Sequence, residues 1–153
     1  MSSRSINTTH VCMDYTVKKD DLNVYGLLHG GRLLTLADEI GFQAAHGFCA
    51  CDALTVAVHH ARFHRPSGLG DTIHMEAKVA LTGKSSLWVP IHILGSNKQI
   101  LMDAIIVYTA VDSMLRPVAI SPVGANSPDE KALQQNMKVL KDKISRESLV
   151  KAY

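Results

Sequence analysis

The chain has 153 residues, 46% of them hydrophobic, with 16 Lys plus Arg against 14 Asp plus Glu and a formal net charge of +2. That is enough apolar content for one domain with a real core, and the mixed charge forms no basic stripe of the kind that tracks nucleic acid. No apolar run reaches the ~20 residues of a bilayer span and the N-terminus lacks a signal-peptide core, so a cytoplasmic protein with no membrane partner is expected.

Thr9, Val11, Met13, Tyr15 and Val17 alternate with polar neighbours and predict a first strand. Asn23 to Ala45 (NVYGLLHGGRLLTLADEIGFQAA) then sets a glycine pair before a helix expected from about Gly31 to Gly47. At roughly 100° per residue, Arg32, Thr35, Glu39, Gln43 and His46 share a polar stripe, with Leu33, Ala37, Ile40, Gly41 and Ala44 opposite. Asp38 belongs to neither. It projects among Leu34, Phe42 and Ala45, where a carboxylate is costly unless paired or functional. Position alone leaves a structural hydrogen bond and a chemical role equally open. Ahead of the helix, His29-Gly30-Gly31 lets backbone come close to a ligand, and the unpaired amides of a helix start suit a developing oxyanion or an acyl carbonyl. His29 either orders this loop or touches the substrate.

Cys12, Cys49 and Cys51 are an odd set, and the Cys49-x-Cys51 spacing favours neither zinc nor a local disulfide, so reduced thiols are expected. Ala53 to Phe63 reads as a second strand, ending at the glycine-rich turn from Arg65 to Asp71. Ile73, Met75, Ala77, Val79 and Leu81 form one face of a third strand, with Thr72, His74, Glu76 and Lys78 on the other. Thr82-Gly83-Lys84-Ser85 reverses the chain into a fourth, with Leu87, Val89, Ile91 and Ile93 inward and Pro90 marking a bulge or an exposed ladder position. Gly95-Ser96-Asn97 leads to a fifth, Ile100 to Val111, apolar on both faces and so buried on both. From Ser127 a capped amphipathic helix is expected to about residue 149, with Pro128 and Glu130 at its first and third positions.

The order of elements implies an α+β domain over residues 1–153, with a core of about 8–125, in which a five-stranded antiparallel sheet wraps one long helix. One helix cannot cover both faces of five strands. The apolar second and fifth strands therefore point to a dimer that completes the core.

These features resemble the hot-dog acyl-CoA thioesterases, and most closely the cytosolic and brain-type acyl-CoA hydrolase group. The resemblance is carried by Asn23-x-x-Gly26-x-x-His29-Gly30-Gly31 with Leu36-Ala37-Asp38-Glu39, by Phe63-His64-Arg65-Pro66 with Gly70-Asp71, by Thr82-Gly83-Lys84-Ser85-Ser86-Leu87, and by Tyr108 to Asp112 with Arg116-Pro117. It implies Asp38 as the catalytic carboxylate and Asn23 as its partner, meeting across a dimer interface, with carbonyl-polarising amides at Gly30 and Gly31. It also implies that Gly83, Lys84, Ser85 and Ser86 touch the pantetheine and phosphate end of CoA, that CoA enters as substrate with no separate cofactor, and that dimers assemble into a homohexamer. Two departures stand out: Lys84 where arginine is common, and Ala37 where a bulkier residue is often seen.

The chemistry implied is hydrolysis of acyl-CoA to a fatty acid and CoA. Asp38 would act either as general base on water, with Asn23 orienting that water, or as direct nucleophile. The alternatives are a hot-dog hydratase or dehydratase using His29 and Asp38, and a non-catalytic acyl-CoA sensor. No metal site is expected. His59 and His60 are adjacent and face opposite ways, while His74 and His92 read as surface imidazoles. Glu39 reads as a salt-bridging helix residue and Trp88 as a packing or interface residue.

Overall fold

The structure, a computed structural model, describes residues 4–147. Helix α1 runs from Gly30–Cys49, slightly longer at both ends than its polar stripe suggests, and buries Leu33, Leu36, Ala37, Ile40, Gly41, Ala44 and Ala45. Strands β1 (Val11–Thr16), β2 (Asp52–Phe63), β3 (Thr72–Ala77), β5 (Ser86–Leu94) and β6 (Ile100–Val111) form one antiparallel sheet in the order β1-β3-β5-β6-β2. A two-residue β4 (Leu81–Thr82) pairs with β5 off this path. The sheet curls around α1, and its inner rows run Met75–Ile93–Met102 and Val89–Ile106. All five of these side chains are essentially inaccessible to solvent, and each is worth about 1.5–3 kcal/mol of transfer free energy.

Pro90 sits one residue beyond the last β3–β5 pair, Ala77↔Ile91, and before the β4–β5 pair Leu81↔Trp88. Its missing N–H therefore falls in the gap between two partner strands, while its side chain is buried.

Two expectations are corrected. The two-sided burial of β6 does not wait for a second subunit: Leu101 and Val107 are 4% and 5% exposed within one chain. On the outer face Trp88 is likewise buried and stacks on His59 at 5.7 Å. What stays uncovered is β2, a long edge strand with Leu54, Val56, Val58 and Phe63 between 42% and 57% exposed. The second correction concerns the cysteines. Cys49 and Cys51 are joined as a disulfide, with Cα atoms 5.2 Å apart. The left-handed residue Ala50 at the helix C-cap turns the chain back on itself, a geometry that the two-residue spacing does not reveal.

Helix α2 (Pro128–Arg146) begins as expected, with Ser127 and Glu130 forming a reciprocal capping box; the expected residues 148 and 149 lie outside the described residues. Glu130 does more than cap. Its Oε2 accepts from the Asn7 amide at 2.8 Å, and its Oε1 accepts from the amides of Asn126 and Ser127 at 3.1 and 3.0 Å. These backbone donors hold its carboxyl down to about 2 from an ordinary 4.5, and they tie the N-terminal segment to α2. A depressed carboxyl stabilises the fold above its unfolded pKa and loses that contribution as pH falls through the folded one. Glu130→Gln should therefore be less stable than the native chain at neutral pH, with the two denaturation curves converging as pH drops from 4.5 to about 2.

Candidate active site

Asp38 is half-buried on α1. Its Oδ1 accepts from the Thr55 hydroxyl at 2.7 Å and from the Tyr108 hydroxyl at 3.0 Å, and the latter also lies 2.9 Å from the Asp38 carbonyl. Thr55 and Tyr108 are register partners across β2 and β6, so one row of the sheet delivers both donors to the same oxygen. Burial, and then the neighbouring Asp38 carboxylate, push the Tyr108 hydroxyl far above its usual range, which keeps it a donor. Among the described residues Oδ2 has no hydrogen-bond donor, which leaves it able to take a proton or to attack.

The approach of Tyr108 depends on Gly41, one turn along α1. A Cβ there would collide with the Tyr108 hydroxyl and lie 2.9 Å from Ile91 Cδ1. Glycine within a helix costs about 1 kcal/mol relative to alanine, a cost here offset by the contact it permits.

The second half of the site is the loop before α1. Asp21, 6% exposed, accepts from the Tyr15 hydroxyl at 2.6 Å, the Lys18 amide at 2.8 Å and Arg32 Nε at 3.1 Å. Burial opposes its ionisation, but these donors together hold its carboxyl below the usual range. Its carbonyl accepts from the His29 amide at 2.8 Å, so one buried residue anchors the loop to the helix start. Asn23 Oδ1 accepts from the amides of Tyr25 and Leu27 at 2.9 and 3.1 Å, which leaves its side-chain nitrogen as the group it can offer a ligand. His29 caps α1, its Nδ1 accepting from the Gly31 amide at 2.9 Å. That amide is therefore occupied, whereas the Gly30 amide has no acceptor among the described residues. A groove of about 280 Å³ gathers Asn23, Gly30, Leu33 and Phe63.

Within one chain the structure thus brings Asn23 together with Gly30, but not with Asp38. Thr55 and Phe63 lie toward opposite ends of β2; their partners Tyr108 and Met102 are six residues apart on β6, roughly 20 Å at the rise of a strand. The Gly83–Ser86 turn lies toward the Asp38 end, because Leu87 stands opposite Tyr108 in the β5–β6 register. The turn closes by Gly83 N–H to Ser86 carbonyl at 2.9 Å, and Lys84 is exposed.

Imidazoles elsewhere pair with carboxylates on the outer face of the sheet. His74 bonds Asp14, His10 and His92 flank Glu76 at 3.5 and 4.0 Å, and His64 donates to Asp103 at 3.0 Å. Glu39 is exposed and joins no ion pair among the described residues, so the expected salt bridge does not form.

Sequence patterning assigns no role to Thr55, Asp21 or Tyr108 and places Gly41 only on the apolar stripe of α1. Thr55 and Tyr108 carry a faint signal as hydroxyls alone among the apolar residues of their strand faces, and Gly41 as a glycine in mid-helix; Asp21 carries none. Gly41→Ala should displace Tyr108 and overpack the core, lowering stability by about 1–3 kcal/mol; chemical denaturation measures it, with Ala44→Gly as a helix-propensity control.

The model of the thioesterase superfamily matches residues 25–97 of this chain. The rat cytosolic acyl coenzyme A thioester hydrolase is 30% identical over 93 residues, which are 57% of this chain and 24% of that protein. The Bacillus subtilis protein named uncharacterized acyl-CoA thioester hydrolase YkhA is 25% identical over 115 residues, 72% of this chain and 67% of that one. The match thus spans about a quarter of the rat relative. Among solved structures, an apo-hexameric acyl-CoA thioesterase superimposes with a TM-score of 0.91 at 20% identity, covering 99% of this chain and 100% of that one. The Staphylococcus aureus acyl-CoA hydrolase, solved with butyryl-CoA, CoA and CoA disulfide, superimposes with a TM-score of 0.82 at 21% identity, covering 95% and 91%. The chain therefore has the hot-dog fold over its described length and the thioesterase superfamily's sequence signature over residues 25–97, as the resemblance implied.

Proposed function

We propose that this protein hydrolyses acyl-CoA thioesters, with Asp38 as the catalytic carboxylate of a site shared between two copies of the chain. The observation that carries this reading is the Asp38 carboxylate itself, with one oxygen held by two hydroxyls and the other free. Two held bonds fix its direction, and Oδ2 is left to draw a proton from water. Asn23, which has only N–H to offer, donates to the oxygen of that water, and the Gly30 amide receives the charge that develops on the thioester carbonyl. The thiolate of CoA leaves readily, and CoA is needed only as part of the substrate. Attack by Oδ2 on the carbonyl, expelling the thiolate to leave an aspartyl anhydride, is the other route. In single turnover in ¹⁸O-water, label entering the Asp38 carboxylate, from water opening that anhydride at the aspartyl carbonyl, marks the second route, since the first cannot place it there.

The exposed apolar edge of β2 supports the sharing. Two copies pairing their β2 edges antiparallel about a two-fold axis near mid-strand set Thr55 of one beside Phe63 of the other. Asp38 of one chain then faces the groove of Asn23 and Gly30 from its partner. Alanine variants of an asparagine, an aspartate and a threonine of the Staphylococcus aureus hydrolase have been solved. The intervals between those three along that chain equal those from Asn23 to Asp38 and from Asp38 to Thr55 here. The hexameric neighbour supports a trimer of such dimers, and the rat relative's name supports a cytosolic location. No helix among the described residues is long and apolar enough to cross a membrane. The hydratase reading loses support within one chain, since the His29 ring caps α1, more than two turns from Asp38.

Thiol release from a panel of acyl-CoAs tests the activity. Asp38→Ala should fold normally and lose about 10²–10⁴ in turnover; full turnover in that variant overturns the assignment, and binding without release favours a sensor. Mixing inactive Asn23→Ala with inactive Asp38→Ala should restore activity, because a mixed dimer holds one intact site. No restoration after subunit exchange would mean that both residues act within one chain.

A further inference from the structure

We infer that Lys141, on α2, is a second cation for the phosphates of the CoA nucleotide, acting with Lys84 at the Gly83–Ser86 turn. The inference rests on the acyl-CoA reading above and extends it to a residue outside the turn. Its starting point is why residue 83 is glycine. Gly83 is not among the residues with positive φ, so the turn's backbone does not demand it. Space does. A Cβ at Gly83 would run into Ser86 Oγ and would lie 3.1 Å from Lys141 Nζ. The glycine therefore lets the Lys141 ammonium rest directly on the turn.

Helix geometry explains how the ammonium reaches that place. Gln134, Met137 and Lys141 follow one another at helical spacing on a single stripe of α2. Met137 is buried, and Gln134 donates from Nε2 to the carbonyls of Ala80 and Val123, each at 3.3 Å, which fixes this stripe against β4. Lys141 is the next member and is only half exposed. A half-buried ammonium ordinarily seeks a carboxylate, yet neither Lys141 nor Lys84 joins an ion pair among the described residues.

The turn is also prepared for an anion on its other side. The carbonyls of Lys84 and Ser85, which would repel a phosphate, accept from the amides of Ile120 and Ala110 at 2.9 and 2.8 Å and are tied into the body of the protein. The Lys141 ammonium against the turn, Lys84 within it and the hydroxyls of Ser85 and Ser86 together match a phosphate's charge and its many acceptors. The second cation also compensates for lysine rather than arginine at position 84, since two point charges together supply what a bidentate fork supplies alone.

Calorimetric titration with CoA and with dephospho-CoA, which lacks the 3′-phosphate, tests this on the full chain. Lys141→Ala should weaken CoA binding about tenfold, the loss of one charge-assisted contact. Lys141→Glu should weaken it further, and Lys141→Arg should restore it. A larger loss for CoA than for dephospho-CoA assigns the contact to the 3′-phosphate; an equal loss assigns it to the diphosphate. In turnover, the ratio of kcat/KM for acyl-CoA to that for the matching acyl-pantetheine should fall by the same factor, a change that a merely structural lysine would not produce. Native affinity in both Lys141→Ala and Lys141→Glu, alongside a loss in Lys84→Ala, overturns the role of Lys141 and leaves the acyl-CoA reading intact. Failure of the native chain to bind CoA overturns both.

Discussion

The contact on which the rest of the site depends is the Tyr108 hydroxyl against Asp38. It exists because Gly41 has no side chain and because β6 brings a buried tyrosine up beneath the helix at that point. A carboxylate in an apolar setting is costly unless donors reach it, and a donor that deprotonates is no donor. Burial and the adjacent negative charge keep Tyr108 protonated, so it remains a donor to Asp38. Thr55 takes the remaining valence of the same oxygen, and the other oxygen has no donor among the described residues.

Arranging the site in this way divides the labour between stability and function along a single strand. The inner rows of β3, β5 and β6 are fully buried and supply the core. The edge strand β2 contributes little to that core and instead exposes Leu54, Val56, Val58 and Phe63. An uncovered apolar edge of this length is a liability for a monomer, and in the proposed dimer it is the surface through which the two half-sites meet. On that proposal assembly and catalysis are coupled: a dimer that fails to form would leave Asp38 without an asparagine and Asn23 without a carboxylate.

The outer face follows a different rule. Several of its histidines are matched with carboxylates of neighbouring strands, as His74 is with Asp14 and His92 with Glu76, while His59 stacks on Trp88. Glu130 performs the equivalent service for backbone, drawing three amides from two separated segments onto one carboxylate.

Much of this was legible in the sequence. Period-two alternation located the strands, the 3.6-residue period located α1 and isolated Asp38 from its stripes, and the Ser127–Glu130 pair located the start of α2, because each depends on neighbours a few residues away. What the sequence could not show depends on distant partners. Asp38 meets Thr55 across 17 residues and Tyr108 across 70. The coverage of β6 by its own chain, the occupation of the Gly31 amide by His29, the turn at Ala50 that joins Cys49 to Cys51, and the seat of Lys141 on Gly83 are likewise matters of where the folded chain returns to itself. Local residue order determined which elements form and which carboxylate is out of place. Only tertiary packing decided which donors reach that carboxylate and which edge remains open, because hydrogen bonds and burial are set by spatial neighbours and not by sequence ones.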